Sequence, residues 1–112
     1  MALSAQEPAG VVEEHTELLR AMLEDQFAAH TRRLTELTVY ARLPGHGGYE
    51  PQALETLAAA ARQGIADTAQ ALRRMTDGSY GVCERCGEPI PLGRLKALPH
   101  ARYCAPCQRH QA

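Results

Sequence analysis

Two pairs of cysteines constrain this chain more than any other feature of its sequence. Cys83-Glu84-Arg85-Cys86 and Cys104-Ala105-Pro106-Cys107 are two CxxC steps separated by seventeen residues. Two residues between cysteines let one tight turn aim both sulfurs at a single point, and Gly87 and Pro106 suit turns of this kind. Residues 87–103 are long enough to bring a second turn back onto the first. Four thiolates so placed suit one tetrahedral zinc ion, and with sulfur in every position none is left for water or substrate, so the ion is structural. We therefore expect Cys83, Cys86, Cys104 and Cys107 to ligate a single Zn2+. The competing readings are two disulfides or a redox pair. Close pairs in a reducing compartment favour metal, and a thioredoxin-like pair would sit beside a βαβ pattern that the sequence lacks.

The energetics of residues 78–112 point the same way. Their sizeable apolar groups are Tyr80, Val82, Ile90, Leu92, Leu95, Leu98 and Tyr103, too few for about 35 residues to fold by burial alone. Zinc binding to such a site contributes roughly 10–16 kcal/mol in apparent terms, and that becomes folding free energy. The whole chain shows the same shortage. Apolar residues make up 45% of its 112 positions, but aromatics are only 4% and tryptophan is absent. Much of the apolar share is alanine, so an elongated helical shape with a short apolar seam is expected rather than a thick core.

Residues 1–10 contain Pro8 and Gly10, show no periodicity and read as a flexible lead-in. Residues 11–77 read as an antiparallel coiled-coil hairpin, making the chain mostly all-α. From Val11 to Arg42 there is neither proline nor glycine. Leu19, Leu23, Phe27, His30, Leu34, Leu37 and Ala41 recur at three- and four-residue steps, which is one face of a helix. A tip follows near residues 43–51, where two prolines and three glycines in nine residues break the helix. A second stripe then runs through Leu54, Leu57, Ala61, Ile65, Thr68, Leu72 and Met75. Gly64 inside it costs about 1 kcal/mol relative to alanine.

Folding the chain back at the tip pairs Ala41 with Leu54, Leu37 with Leu57, Leu34 with Ala61, His30 with Ile65, Phe27 with Thr68 and Leu23 with Leu72. The numbers in each pair add to 94 or 95, and two stripes in such register describe an antiparallel hairpin. At ~1.5 Å per residue, an arm of about 26 to 32 residues is roughly 40–48 Å long. Residues 78–112 complete the chain as a C4-type zinc module ending in a short helix.

A formal net charge of −1 conceals an asymmetry. Residues 11–77 carry ten acidic and seven basic side chains, and residues 78–112 carry two acidic and five basic. Four thiolates and a divalent ion leave the module only about +1, and Arg85, Arg94, Lys96, Arg102 and Arg109 are scattered rather than clustered on one face. Direct DNA binding is therefore not expected. No stretch reaches the roughly 18 apolar residues of a membrane span, and Met1 to Gly10 lacks the pattern of a signal peptide, so a cytoplasmic protein is expected. The sequence shows no nucleophile paired with a base, and catalytic residues are expected to be none. His15, His46, His100 and His110 read as exposed and incidental.

From Ala71 onward the residues form a denser pattern than a generic zinc ribbon. Ala71-Leu72-Arg73-Arg74-Met75 is followed by Gly78-Ser79-Tyr80-Gly81-Val82-Cys83-Glu84-Arg85-Cys86-Gly87, then Ile90, Arg94-Leu95-Lys96-Ala97, Pro99, Cys104, Cys107 and Gln108. About 40 residues of this stretch closely resemble the DksA/TraR C4-type zinc-finger family of bacterial transcription regulators, and the preceding hairpin is similar to that of the longer, coiled-coil members.

The resemblance implies a protein that binds RNA polymerase rather than DNA. It implies insertion of the coiled coil into the secondary channel to modulate initiation, with the alarmone ppGpp a candidate co-effector. The pattern departs from the family at one place: a DxxDxA motif near the tip is represented here by Glu36-Leu37-Thr38-Val39-Tyr40-Ala41, with valine where the second aspartate falls. The residues by themselves leave two other readings open, a zinc-finger adaptor for another protein and a weak nucleic-acid binder.

Overall fold

Residues 15–111 are described by a computed structural model, in which local chain chemistry sets each boundary of the hairpin. The expected lead-in, residues 1–10, and the next four residues lie outside the described part. Helix α1 spans Thr16–Arg42 and stops where Leu43 turns extended, φ −82° and ψ 148°, as a residue before proline tends to do. Helix α2 spans Pro51–Asp77, with the proline in its first turn, where a missing N–H costs nothing. Two short helices follow in the cysteine-bearing segment, α3 at Leu92–Ala97 and α4 at Ala105–Gln111. Strand pairing among the described residues is limited to one isolated antiparallel bridge, Val82 to Pro89. The fold is the mostly helical, antiparallel hairpin-plus-module architecture that the sequence implied.

The two stripes form the seam. Leu19, Leu23 and Leu37 of α1 are buried with Leu54, Ala61, Thr68 and Ala71 of α2. Phe27, His30, Leu34, Leu57, Ile65, Leu72 and Met75 are half-buried between or beside them. Thr68 is tolerated because its hydroxyl donates to the carbonyls of Gly64, at 2.8 Å, and Ile65, at 3.1 Å, so this buried hydroxyl is paired within its own helix.

Two details differ from the expected pairing. Ala41 is exposed rather than enclosed. His30 lies on Gly64 rather than Ile65: a Cβ added to Gly64 would sit 2.5 Å from Cε1 and Nε2 of the imidazole. The glycine that weakens α2 as a helix is thus the place where a ring can lie against its backbone.

At the tip, residues 46–48 form one 3₁₀ turn. Gly47 has φ +61°, and a Cβ there would meet the Tyr40 ring at 2.7 Å. Tyr40 in turn packs on Tyr49, with ring centroids 5.7 Å apart. The Arg33 guanidinium lies 6.0 Å from the Tyr49 ring centroid, donates to the Tyr49 hydroxyl at 3.2 Å and pairs with Glu36 at 2.6 Å. The turn is therefore held by its own side chains.

At the other end, α1 and α2 run into the cysteine module without a break in packing. Leu19, Leu23 and Ala71, each with no exposed surface, share one cluster with Tyr80, Cys83, Ile90, Leu95, Ala101 and Cys107. Val82 and Leu98, counted in the sequence among the module's sizeable apolar groups, are instead 42% and 41% exposed. The hairpin base takes their place. The molecule extends 65 × 30 × 21 Å, a rod thickened at one end.

The contact between His30 and Gly64 gives a cycle that can be measured. Gly64→Ala should gain about 1 kcal/mol of helix propensity only in a His30→Ala background, and should lose that gain or destabilise when His30 is present. Denaturant melts of the four zinc-loaded variants check this; equal stabilisation in both backgrounds would show that the ring does not rest on α2.

Candidate metal centre

Each cysteine pair is aimed by a turn that backbone hydrogen bonds hold in place. In the first, the Cys83 N–H donates to the Glu88 carbonyl at 2.8 Å and the Gly87 N–H to the Cys83 carbonyl at 3.0 Å. Gly87, at φ +78°, takes the left-handed conformation that reverses the chain directly after Cys86, and glycine does so without steric cost. The Ile90 N–H donates back to the Gly81 carbonyl at 2.8 Å, closing a small loop around the pair. In the second, Cys104 directly precedes α4 and Cys107 lies in its first turn, with the Gln108 N–H donating to the Cys104 carbonyl at 2.9 Å. The two turns are joined by the Glu84 N–H, which donates to the Arg102 carbonyl at 2.9 Å.

The result is convergence. The ligand atoms of Cys83, Cys86, Cys104 and Cys107 all lie within 4.8 Å of one another, and the sulfurs of Cys86 and Cys104, one from each pair, are 3.8 Å apart. A tetrahedron with metal–sulfur bonds of ~2.3 Å has edges of about 3.8 Å, so the cluster has the size that one zinc ion requires. All four cysteines are free. Cys83 and Cys107 are buried and Cys86 is exposed, so an ion here faces the core on one side and solvent on the other.

The protonation of the thiols favours a cation. Burial works against ionisation of Cys83, but N–H groups of Cys86, Cys104 and Arg85 outweigh it and bring the thiol down to about 6. Cys107 moves the other way, up to about 12, because it shares a hydrogen bond with the Cys104 sulfur and is buried. A divalent ion removes this conflict by displacing the protons.

Behind the cysteines lies an ion-pair relay that sequence reasoning did not single out. Arg74, in the last turn of α2, is only 7% exposed. Its Nη1 pairs with Glu84 Oε2 at 3.4 Å, and its Nη2 donates to the Ala101 carbonyl at 3.4 Å. Burial opposes the charge on Arg74, and Glu84 offsets that cost. The other Glu84 oxygen accepts from Arg102 Nη2 at 2.8 Å and Nε at 3.0 Å. Glu84 thereby ties the first cysteine turn to the hairpin and to the second turn together. The available signal was the Glu between the cysteines of the first pair, which spacing alone reads as turn surface. Tyr80 gives a second tie, its hydroxyl donating to the Pro99 carbonyl at 2.8 Å. Arg94, by contrast with a free basic surface, is engaged, its Nε donating to the Tyr103 carbonyl at 2.9 Å.

Of the four histidines read as exposed, His15, His46 and His100 are half-buried. His46 also has its Nδ1 enclosed with no hydrogen-bond partner.

Comparison with known proteins places this geometry. Residues 78–110 match the family model of the prokaryotic dksA/traR C4-type zinc finger. An uncharacterized protein of Aquifex aeolicus is 41% identical over 63 residues, 56% of this chain and 43% of that protein. The RNA polymerase-binding transcription factor DksA of Caulobacter vibrioides is 53% identical over 51 residues, 45% of this chain and 36% of that protein. The chain thus spans less than half the length of these curated relatives. The solved structure of transcription factor DksA2 from Pseudomonas aeruginosa superposes with a TM-score of 0.73 at 26% identity, covering 96% of this chain and 88% of that one.

Two outcomes follow from the site. At pH 7 each zinc bound should release about two or more protons, because Cys107 and Cys86 are both held protonated above their ordinary values. Zinc affinity should accordingly fall as pH falls, and calorimetry in buffers of different ionisation enthalpy reads both quantities. Separately, Glu84→Gln should destabilise the zinc-loaded protein by about 1–2 kcal/mol, since it leaves Arg74 buried without its counter-charge. Arg102→Ala should cost less than about 1 kcal/mol, because that pair is open to solvent. Chemical denaturation of the two variants tests the order.

Proposed function

We propose that this chain, whose residues 78–110 match the family model of the DksA/TraR C4-type zinc finger, is a transcription regulator of that family that binds RNA polymerase directly and enters its secondary channel with the hairpin. In this reading residues 78–112 are the zinc-stapled base, Cys83, Cys86, Cys104 and Cys107 holding one structural Zn2+, and residues 11–77 are the inserted arm. The observation that carries the reading is a likeness to transcription factor DksA2 that runs through hairpin and finger together. A rod 65 Å long and 21 Å across its thinnest dimension is suited to a channel. The finger serves as anchor and not as catalyst: four sulfurs saturate a zinc ion and leave no open position. No helix among the described residues is long and apolar enough to cross a membrane.

The tip sets what such insertion can do. Glu36 stands where the family pattern has its first carboxylate, and Arg33 neutralises it at 2.6 Å. Val39 stands at the second position and is 50% exposed. Glu50, at the start of α2, is the exposed carboxylate of the turn. An apolar side chain in place of a charge can pack but cannot act on a metal ion or accept a hydrogen bond. The chain is therefore suited to occupy the channel while acting on the polymerase differently from relatives that present two carboxylates.

Equilibrium binding of the zinc-loaded chain to core RNA polymerase tests the reading, with binding in the micromolar range or tighter expected. Val39→Asp should leave that affinity within about threefold, since the position is exposed, and should introduce a change in promoter open-complex lifetime that the parent chain lacks. Absence of binding at low salt would overturn the proposal, and binding seen only to an unrelated protein would favour the adaptor reading.

A further inference from the structure

A groove of about 370 Å³ runs beside the tip, between the ends of the two long helices. Leu37, Ala41, Leu54 and Ala58 make its apolar part, and His46, Glu55 and Arg62 stand among its polar lining. Glu55 and Arg62 take part in none of the ion pairs among the described residues. Seven residues separate them along α2, so they share one face of that helix about 10 Å apart.

His46 supplies an independent signal. It is the one non-glycine residue among those described with a positive φ, +53°, and its enclosed Nδ1 lacks a partner. A backbone outlier that also leaves a polar atom unpaired carries two costs at one position, and such costs concentrate where a protein makes contact with something else. The contacts that hold the turn, Tyr40 on Gly47 and on Tyr49, involve other residues and do not need His46 to be a histidine.

Building on the polymerase reading, we propose that this groove is a docking surface that receives a segment of RNA polymerase carrying one apolar side chain between an acidic and a basic group. The apolar side chain fills the space over Leu37, Leu54 and Ala58. The acidic group pairs with Arg62 and the basic group with Glu55, so the opposite charges on the rim allow one orientation of the segment and disfavour its reverse. A polar atom of the same segment, or a small rotation of the His46 ring on docking, satisfies Nδ1. The groove, in this view, grips the wall of the channel from the side while the end of the tip is left free.

The test uses full-length, zinc-loaded protein and purified core RNA polymerase at physiological salt, with dissociation constants read by fluorescence anisotropy. Ala58→Glu places a charge on the apolar floor and Arg62→Glu reverses the rim. Each should weaken binding by at least about tenfold, the loss typical of a central contact. Ala60→Glu and Arg32→Glu, at exposed positions that do not line the groove, should bind like the parent. Zinc content and helical circular dichroism establish that each variant is folded, and Arg62→Glu at a surface position carries the test should Ala58→Glu not fold. Parental binding with both groove variants unaffected overturns the groove and leaves the polymerase reading standing. Equal weakening by the controls also overturns it, since net charge would then explain the loss. A parent chain that does not bind polymerase removes both.

Discussion

The convergence of two cysteine turns is the constraint on which the lower half of this molecule depends, and its reach is wider than the turns themselves. Cys83 and Cys107 belong to the same buried cluster as Leu19, Leu23 and Ala71 of the hairpin. An ion that holds the sulfurs also holds the wall against which the first turns of α1 and the last turns of α2 are packed. The finger alone is too poor in apolar area to order itself, and the base of the hairpin supplies part of what it lacks. Zinc binding energy and helix packing are thus spent on one core.

Electrostatics reinforces that coupling in a direction-specific way. Burial makes the charge on Arg74 at the end of α2 costly, and Glu84, inside the first cysteine pair, offsets that cost. Glu84 also binds Arg102, two residues before the second pair. A single carboxylate therefore reports on the positions of α2 and of both cysteine turns. Burial makes the Arg74 contact the stronger constraint, because exposed pairs such as that with Arg102 contribute little in water. The far end of the rod is organised without any of this. Tyr40, Tyr49, Arg33 and the left-handed Gly47 hold the turn through local contacts alone, so the shape of the tip does not depend on the metal.

Much of this was legible in the sequence because it follows from spacing. The CxxC steps located the four-sulfur cluster, and three- and four-residue periodicity located both long helices and their antiparallel pairing. Residues whose importance comes from contacts between distant segments were not legible in that way. Gly64 reads as a defect in a helix until His30 is seen lying on it. Glu84 reads as a solvated turn residue until Arg74 is seen approaching from α2. Val82 and Leu98 read as core by composition, yet they face solvent because Leu19 and Leu23 arrive from outside the module to fill the space. His46 reads as loop surface because a positive φ, although commoner for histidine than for most side chains, is set by the turn around it and not by spacing.

The tip brings these threads to a functional consequence. A rigid turn presents its side chains with little conformational entropy to lose, so the chemistry of those side chains, rather than the adaptability of the loop, decides what the rod can do where it lands. Glu36 is within reach of the turn but is bound to Arg33, which is bound in turn to Tyr49. Freeing that carboxylate for a partner would mean breaking its ion pair with Arg33, whose other terminal nitrogen donates to Tyr49. The same arrangement that stiffens the tip therefore withdraws a negative charge from it, and Val39 leaves an apolar surface where a second charge would have stood. Stiffness and charge are coupled in this tip. A partner that engaged the carboxylate already at position 36 would have to break its pair with Arg33, whereas a carboxylate introduced at position 39 would be free of that competition.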